Sequence, residues 1–149
     1  MQARQAIRKS MVTIPSGASL AEAADLMDRA VVGALVVVDG HEPVGIVTDR
    51  DLVVRGMVKR LPLDARIDSV MSTGLVTLPA GADLHDALKV FSSHAIRRLP
   101  LVEDGRVVGM LTVDDLAIDL AGDLGTLFRP VVGQVIFGAP AAAETVVVP

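Results

Sequence analysis

Val12-Thr13-Ile14-Pro15-Ser16-Gly17-Ala18-Ser19-Leu20 returns later in the chain as Val76-Thr77-Leu78-Pro79-Ala80-Gly81-Ala82-Asp83-Leu84. Val44-Gly45-Ile46-Val47-Thr48 returns as Val108-Gly109-Met110-Leu111-Thr112, and Asp51-Leu52 as Asp115-Leu116. Every pair keeps one offset of 64 (Val12 to Val76, Thr48 to Thr112, Asp51 to Asp115), so no insertion separates the copies. A unit of about 60 residues is longer than most solenoid repeats. Two copies are too few for an array. The repeat therefore predicts two similar half-domains that complete one another across a pseudo-two-fold axis.

Each copy has the same internal order. Thr13-Ile14, or Val76-Thr77-Leu78, is a short extended piece stopped by a proline. Ser19 with Glu22, and Asp83 with Asp86, are N-terminal capping residues for a helix. Leu20, Ala23, Ala24 and Met27 give that helix its apolar stripe in the first copy, and Leu84, Ala87, Leu88 and Phe91 in the second. Strands are expected over 34–38 and 44–47, and over 99–102 and 107–111, around Asp39-Gly40-His41-Glu42-Pro43 and Glu103-Asp104-Gly105. Their apolar runs alternate little, as in strands covered on both faces. Each second strand runs into Thr-x-x-Asp and a second helix. The fold class is thus α/β, strand–helix–strand–strand–helix written twice. Residues 61–73 are expected to link the copies and to hold a short helix, 128–137 to be irregular or extended, and 138–149 to form a tail or a docking strand.

Composition removes several function classes. The 149 residues suffice for one compact domain with a sizeable core. Hydrophobic residues make up 51% of the chain, which raises the question of a membrane. Stretches such as 31–38 nevertheless fall far short of the roughly 20 apolar residues of a spanning helix. No apolar leader follows Met1-Gln2-Ala3-Arg4, so the expected location is the cytoplasm, and so apolar a surface is expected to meet a partner subunit. The absence of cysteine removes disulfides, thiolate nucleophiles and Cys-ligated metals together. Net charge is −4, and there is no Trp, no Tyr and only three Phe, so base-stacking platforms are missing and nucleic acid is excluded as the expected partner.

With these residues in place the unit resembles a CBS motif, and the chain resembles a stand-alone CBS-domain pair, a Bateman module. The resemblance rests on Val-Thr-Ile/Leu-Pro, the capped helix, Arg97-Arg98-Leu99-Pro100-Leu101-Val102, and Gly-hydrophobic-hydrophobic-Thr-x-x-Asp in both copies. It covers roughly residues 6–120, with Thr48-Asp49-Arg50-Asp51 typical of the small actinobacterial kind. On this reading residues 6–61 form the first motif, 62–74 a linker, 75–122 the second motif and 123–149 a C-terminal extension. The resemblance implies an adenosine-containing ligand (AMP, ADP, ATP or S-adenosylmethionine), no resident cofactor, and a flat homodimer.

Thr48-x-x-Asp51 and Thr112-x-x-Asp115 admit two readings. Thr followed three residues later by an acid is a capping pattern. The same geometry also presents free N–H groups, a hydroxyl and a carboxylate to a phosphate and a ribose. Between the copies the other cap drifts, Ser19/Glu22 becoming Asp83/Asp86, while both Thr and both Asp stay fixed. That contrast favours ligand contact over capping alone. In the CBS family the matching Thr meets phosphate or ribose and the matching Asp holds the ribose diol. By the same resemblance the base lies between Thr13-Ile14 or Thr77 on one side and Gly33-Ala34 or Arg98 and Pro100 on the other. Ordinary core is the competing reading of each apolar position.

The copies differ where a phosphate needs charge. Arg97-Arg98 stands where the first copy has Gly33-Ala34, and arginine forms strong, often bidentate bonds to phosphate. Surface charges near a helix end are the competing reading. The first copy offers Arg50 or Arg55 instead. His41, His85 and His94 do not converge by spacing, so no metal site is expected. Asp49 and Asp51 have no nucleophile or base beside them, and neither Gly-x-Ser-x-Gly nor a Walker loop occurs, so catalysis is not expected. The expected function is adenosine-ligand sensing that alters a separate effector protein. The competing class is a constitutive dimerisation or docking protein with empty clefts.

Overall fold

In the computed structural model, which describes residues 1–8 and 11–136, the chain divides into two compact units, Met1–Val113 and Asp114–Pro149. The first unit holds two three-stranded sheets. β1 (Thr13–Pro15) runs parallel to β2 (Ala34–Asp39), which pairs antiparallel with β3 (Glu42–Thr48). β4 (Leu78–Pro79), β5 (Arg98–Glu103) and β6 (Arg106–Thr112) repeat that order. The register repeats with the sequence: Val36 faces Ile46 in one sheet and Pro100 faces Met110 in the other. Both antiparallel pairs also carry a bulge at the same place, between Val37 and Val38 and between Leu101 and Val102. The expectation of strands covered on both faces holds for β2 and β5, the middle strands, each with three consecutive buried residues. The outer strands β3 and β6 alternate instead and lie against one another.

The hairpin loops are tighter than the sequence reading. Glu42 and Pro43 belong to β3, leaving only Gly40-His41 between the strands, with Gly40 at φ 61°. Pro43 is tolerated there because the bulge relieves the ladder beside it. Asp104-Gly105 turns the second hairpin with both φ angles positive, 51° and 74°, the backbone signature of a primed turn.

Helix α1 (Leu20–Ala30) opens with a complete capping box: the Glu22 N–H donates to Ser19 Oγ at 3.1 Å, and the Ser19 N–H donates to Glu22 Oε2 at 2.7 Å. The bond from the Ser19 backbone holds the Glu22 carboxyl below the usual range. In α3 (Leu84–His94) Asp83 accepts from the His85 N–H at 2.8 Å, while Asp86 pairs with Lys89 instead of returning the bond. Both helices end on a left-handed residue, Val31 at φ 54° and Ala95 at φ 51°. Such a turn costs a non-glycine residue roughly 1–2 kcal/mol, and it aims the chain at Gly33-Ala34 and at Arg97-Arg98.

The core also repeats. Ile14, Ala23, Met27, Leu35, Val37 and Val47 are buried in the first half. Leu78, Ala87, Phe91, Leu99, Leu101 and Leu111 are buried in the second. Each half is completed by the segment that precedes the other. A short helical turn at Ile67–Ser69 buries Ile67 and Val70 in the first half's core, and Ser72 exchanges backbone hydrogen bonds with Ile46 at 2.8 and 3.0 Å. The equivalent turn at Ala3–Ala6 buries Ala3 and Ala6, with the Ala3 N–H bonded to the Ala82 carbonyl at 2.8 Å. The helix expected within 61–73 is thus present as this single turn. Glycine is required where these segments cross the strands. A Cβ on Gly45 would stand 2.7 Å from the Ser72 carbonyl oxygen, and one on Gly109 would overlap Ile7 Cδ1.

The second helices depart from regular form. α2 begins as an α-turn at Asp49–Asp51 and continues as a π-helix over Leu52–Met57, with the Val58 N–H bonded to the Val53 carbonyl at 2.9 Å. α4 runs from Val113 to Ile136, so the irregular chain expected over 128–137 is helical as far as Ile136. Leu116, Leu120, Leu124 and Leu127 keep helical spacing along its first part. The residues from 137 onward, including the expected tail 138–149, lie outside the described residues. No helix among the described residues is long and apolar enough to cross a membrane.

Candidate functional site

The two Thr-x-x-Asp turns are built by the hairpins that precede them. At the end of the first hairpin Ala34 is the register partner of Thr48, and the Asp49 N–H donates to the Gly33 carbonyl at 3.1 Å. At the end of the second, Arg98 is the partner of Thr112, and the Val113 N–H donates to the Arg97 carbonyl at 3.1 Å. Gly33, Ala34 and Thr48 therefore come together, as do Arg97, Arg98 and Thr112. Asp51 follows in the first turn of α2, and Asp115 in the first turn of α4.

Thr48 and Asp51 are a capping box in full. The Asp51 N–H donates to Thr48 Oγ1 at 3.1 Å, and the Thr48 N–H donates to Asp51 Oδ2 at 2.9 Å. Capping is thus a real part of their role, and it fixes Asp51 in one rotamer. The other carboxylate oxygen, Oδ1, has Arg55 Nε at 3.7 Å, and Arg55 also reaches the Val70 and Met71 carbonyls at 3.1 and 3.3 Å. Arg55 therefore points to backbone of the linking segment. Arg50 is exposed, and its backbone N–H donates to Asp49 Oδ1 at 2.8 Å.

A cleft of about 130 Å³ opens between the halves, lined by Ile46 of the first half and by Leu75, Val76, Ile96 and Arg98 of the second. Ser72, Thr73 and Gly74 of the linking segment complete its wall. Its lining is mainly aliphatic, with two hydroxyls and one guanidinium. Of the residues expected to meet a ligand, Arg98 lies in this wall. Thr77 is half-buried just before β4, Thr13 is exposed on β1, and Ile14 and Pro100 are buried. Ile14 belongs to the core of the first half, which is the ordinary reading of an apolar strand residue.

Ile46, Ile96 and the 72–75 segment were not legible as site residues. The repeat pairs Ile46 with Met110 and Ser72 with Arg8, but nothing in that pairing says that one half's strand faces the other half's entry segment. The two turns also differ in charge. A Cβ on Gly33 would stand 3.1 Å from Asp49 Oδ2, so a carboxylate fills the place beside position 33. The repeat puts Arg97 at position 33's counterpart and Val113 at position 49's.

Comparisons with known proteins agree with this architecture. The family model of the CBS domain matches twice, over residues 3–57 and 67–122. YlbB of Bacillus subtilis (strain 168) is 39% identical over 99 residues, 65% of this chain and 67% of that protein. The CBS domain-containing protein YhcV of the same organism is 35% identical over 109 residues, 73% of this chain and 78% of that protein. Among solved structures, the CBS domain pair of protein MJ0100 in complex with 5'-methylthioadenosine and S-adenosyl-L-methionine superposes with a TM-score of 0.71 at 24% identity, covering 83% of this chain and 98% of that one. With both halves matched by one family and the repeat carried into register, core and crossing segments, this chain belongs to the CBS domain family.

Proposed function

We propose that this CBS pair binds an adenosine-containing ligand reversibly and passes the occupancy on to a separate effector protein. The observation that carries this reading is the aliphatic cleft closed by Arg98 at the start of β5. Ile46, Val76 and Ile96 suit the faces of a planar base without aromatic stacking. The volume is small beside the roughly 300–1,000 Å³ of drug-sized pockets, so the base enters and the ribose and 5' group lie along the rim. There Arg98 supplies a charge-assisted bond to a phosphate, with Arg97 beside it in sequence. The MJ0100 pair, which shares the fold, holds adenosine derivatives. The first half's turn is the weaker anion site, because Asp49 places a carboxylate where the second half has none. Binding without catalysis fits a site with one cation, two hydroxyls and no general base.

Thermal unfolding with AMP, ADP, ATP and S-adenosylmethionine tests the reading. A ligand at 100 times its dissociation constant stabilises the folded state by about 2.7 kcal/mol, and Arg98→Ala is expected to remove about half of that gain for AMP. If no adenosine ligand moves the midpoint while a defined partner still binds, the docking-protein reading replaces this one.

The chain is also proposed to work as a cytoplasmic homodimer. On α2 and just after it, Val53, Val54, Met57 and Val58 are exposed, Met57 by 70%. Light scattering should give a dimer mass for the protein and a monomer mass for Met57→Glu. A monomeric wild type would refute the dimer.

A further inference from the structure

Arg55 holds a position that neither capping nor phosphate binding accounts for. It stands on the π-helical part of α2, and its Nη1 donates to the Val70 carbonyl at 3.1 Å, the Met71 carbonyl at 3.3 Å and Ser72 Oγ at 3.4 Å. Its Nε lies 3.7 Å from Asp51 Oδ1. Ser72 is a wall residue of the Arg98 cleft, and its reciprocal backbone bonds tie it to Ile46, another wall residue. One side chain therefore joins the Thr48-x-x-Asp51 turn of the first half to the wall of the second half's cleft. The repeat gives Arg55 no arginine counterpart, since the residue 64 positions on is Asp119.

We propose that Arg55 is a positioning residue that couples the two halves, so that a change at Asp51 alters the affinity of the Arg98 cleft. The inference rests on the adenosine-ligand reading above. The physical basis is competition for one oxygen. Asp51 Oδ2 already accepts the Thr48 N–H, which leaves Oδ1, the oxygen that faces Arg55, as the one with more acceptor capacity for a ribose hydroxyl. A guanidinium that loses part of this partner redistributes its remaining donors among Val70, Met71 and Ser72. The wall of the other cleft moves with Ser72. Both sites then bias one element, which is what energetic coupling requires.

The test is calorimetric titration of AMP into the wild type, Asp51→Asn, Arg55→Ala, Arg55→Lys and the Asp51→Asn/Arg55→Ala double variant, with Arg98→Ala identifying the heat of the Arg98 cleft. Asp51→Asn and Arg55→Ala should each shift the affinity of that cleft by about fivefold, the lower end of typical allosteric coupling. The double variant should shift it no further than either single one. Arg55→Lys keeps the charge and loses the fork, so it should retain part of the wild-type affinity. Should Arg55→Ala fail to fold, Arg55→Lys against Asp51→Asn carries the same comparison. Affinity that stays within twofold in the Arg55 variants, or effects that simply add, would overturn the coupling alone. A wild type that takes up no AMP would overturn the adenosine-ligand reading, and the coupling with it.

Discussion

Gly45→Ala should destabilise the protein by roughly 2 kcal/mol, within the range of forced overpacking, and lower its thermal midpoint by about 4–8 °C. The added Cβ would stand 2.7 Å from both the Ser72 carbonyl oxygen and Met71 Sδ. The methionine can swing away, but the carbonyl cannot, because it accepts the Ile46 N–H at 3.0 Å. Relief therefore requires the linking segment to lift from β3, which separates Ser72 from Ile46 in the cleft wall. AMP binding should weaken along with stability. Gly109→Ala is the control. Its new Cβ meets only the end of the Ile7 side chain, and Gly109→Ala/Ile7→Ala should recover most of the loss. Urea unfolding of the wild type and the three variants measures all of this. A Gly45→Ala protein as stable as the wild type would show that the crossing is looser than described.

Arg98→Ala should cost AMP about tenfold or more in affinity at the cleft, the usual worth of a hydrogen bond to a charged group, while adenosine changes by less than about threefold. The side chain is exposed in the cleft wall at the start of β5, where Arg98 pairs with Thr112, so its removal should leave the fold intact. The difference between the two ligands is the informative quantity. Equal losses for AMP and adenosine would mean that Arg98 packs against the base instead of meeting phosphate. The salt dependence of AMP binding should fall in the same variant, since a solvent-exposed charge pair is screened.

The repeat made most of the fold legible. An offset of 64 that holds from Val12 to Leu52 without insertion forces two equal halves, and the prolines, caps and strand runs then place each element within a few residues. Legibility ended where tertiary contact overrides local pattern. Pro43 reads as a turn residue, yet the bulge beside it lets it serve in β3. Residues 128–136 read as irregular, yet α4 continues through them to Ile136. The π-helical register of Leu52–Met57 has no marker in the sequence.

Of the candidate cleft's lining, Arg98 stands out in the sequence by appearing in one copy only. Thr48, Asp51, Thr112 and Asp115 stay fixed between copies, but none of them is among the lining residues. Asp51 also shows why fixed residues need geometry before a role. Its carboxylate is half a cap, with one oxygen spent on Thr48 and one facing Arg55. Ile46 and Ser72 were invisible because their place depends on the exchange of entry segments between halves. That exchange follows from Ile67 and Val70 filling the first half's core, and from Ala3 and Ala6 being buried against the second half.

The second half's cleft is proposed as the anion-competent adenosine site, and a crystal structure of the protein grown with AMP decides it. A nucleotide is expected in the cleft, its base between Ile46, Val76 and Ile96 and its phosphate within hydrogen-bond reach of Arg98. An empty cleft at saturating AMP, or a nucleotide bound with its phosphate beside Asp49, would contradict it.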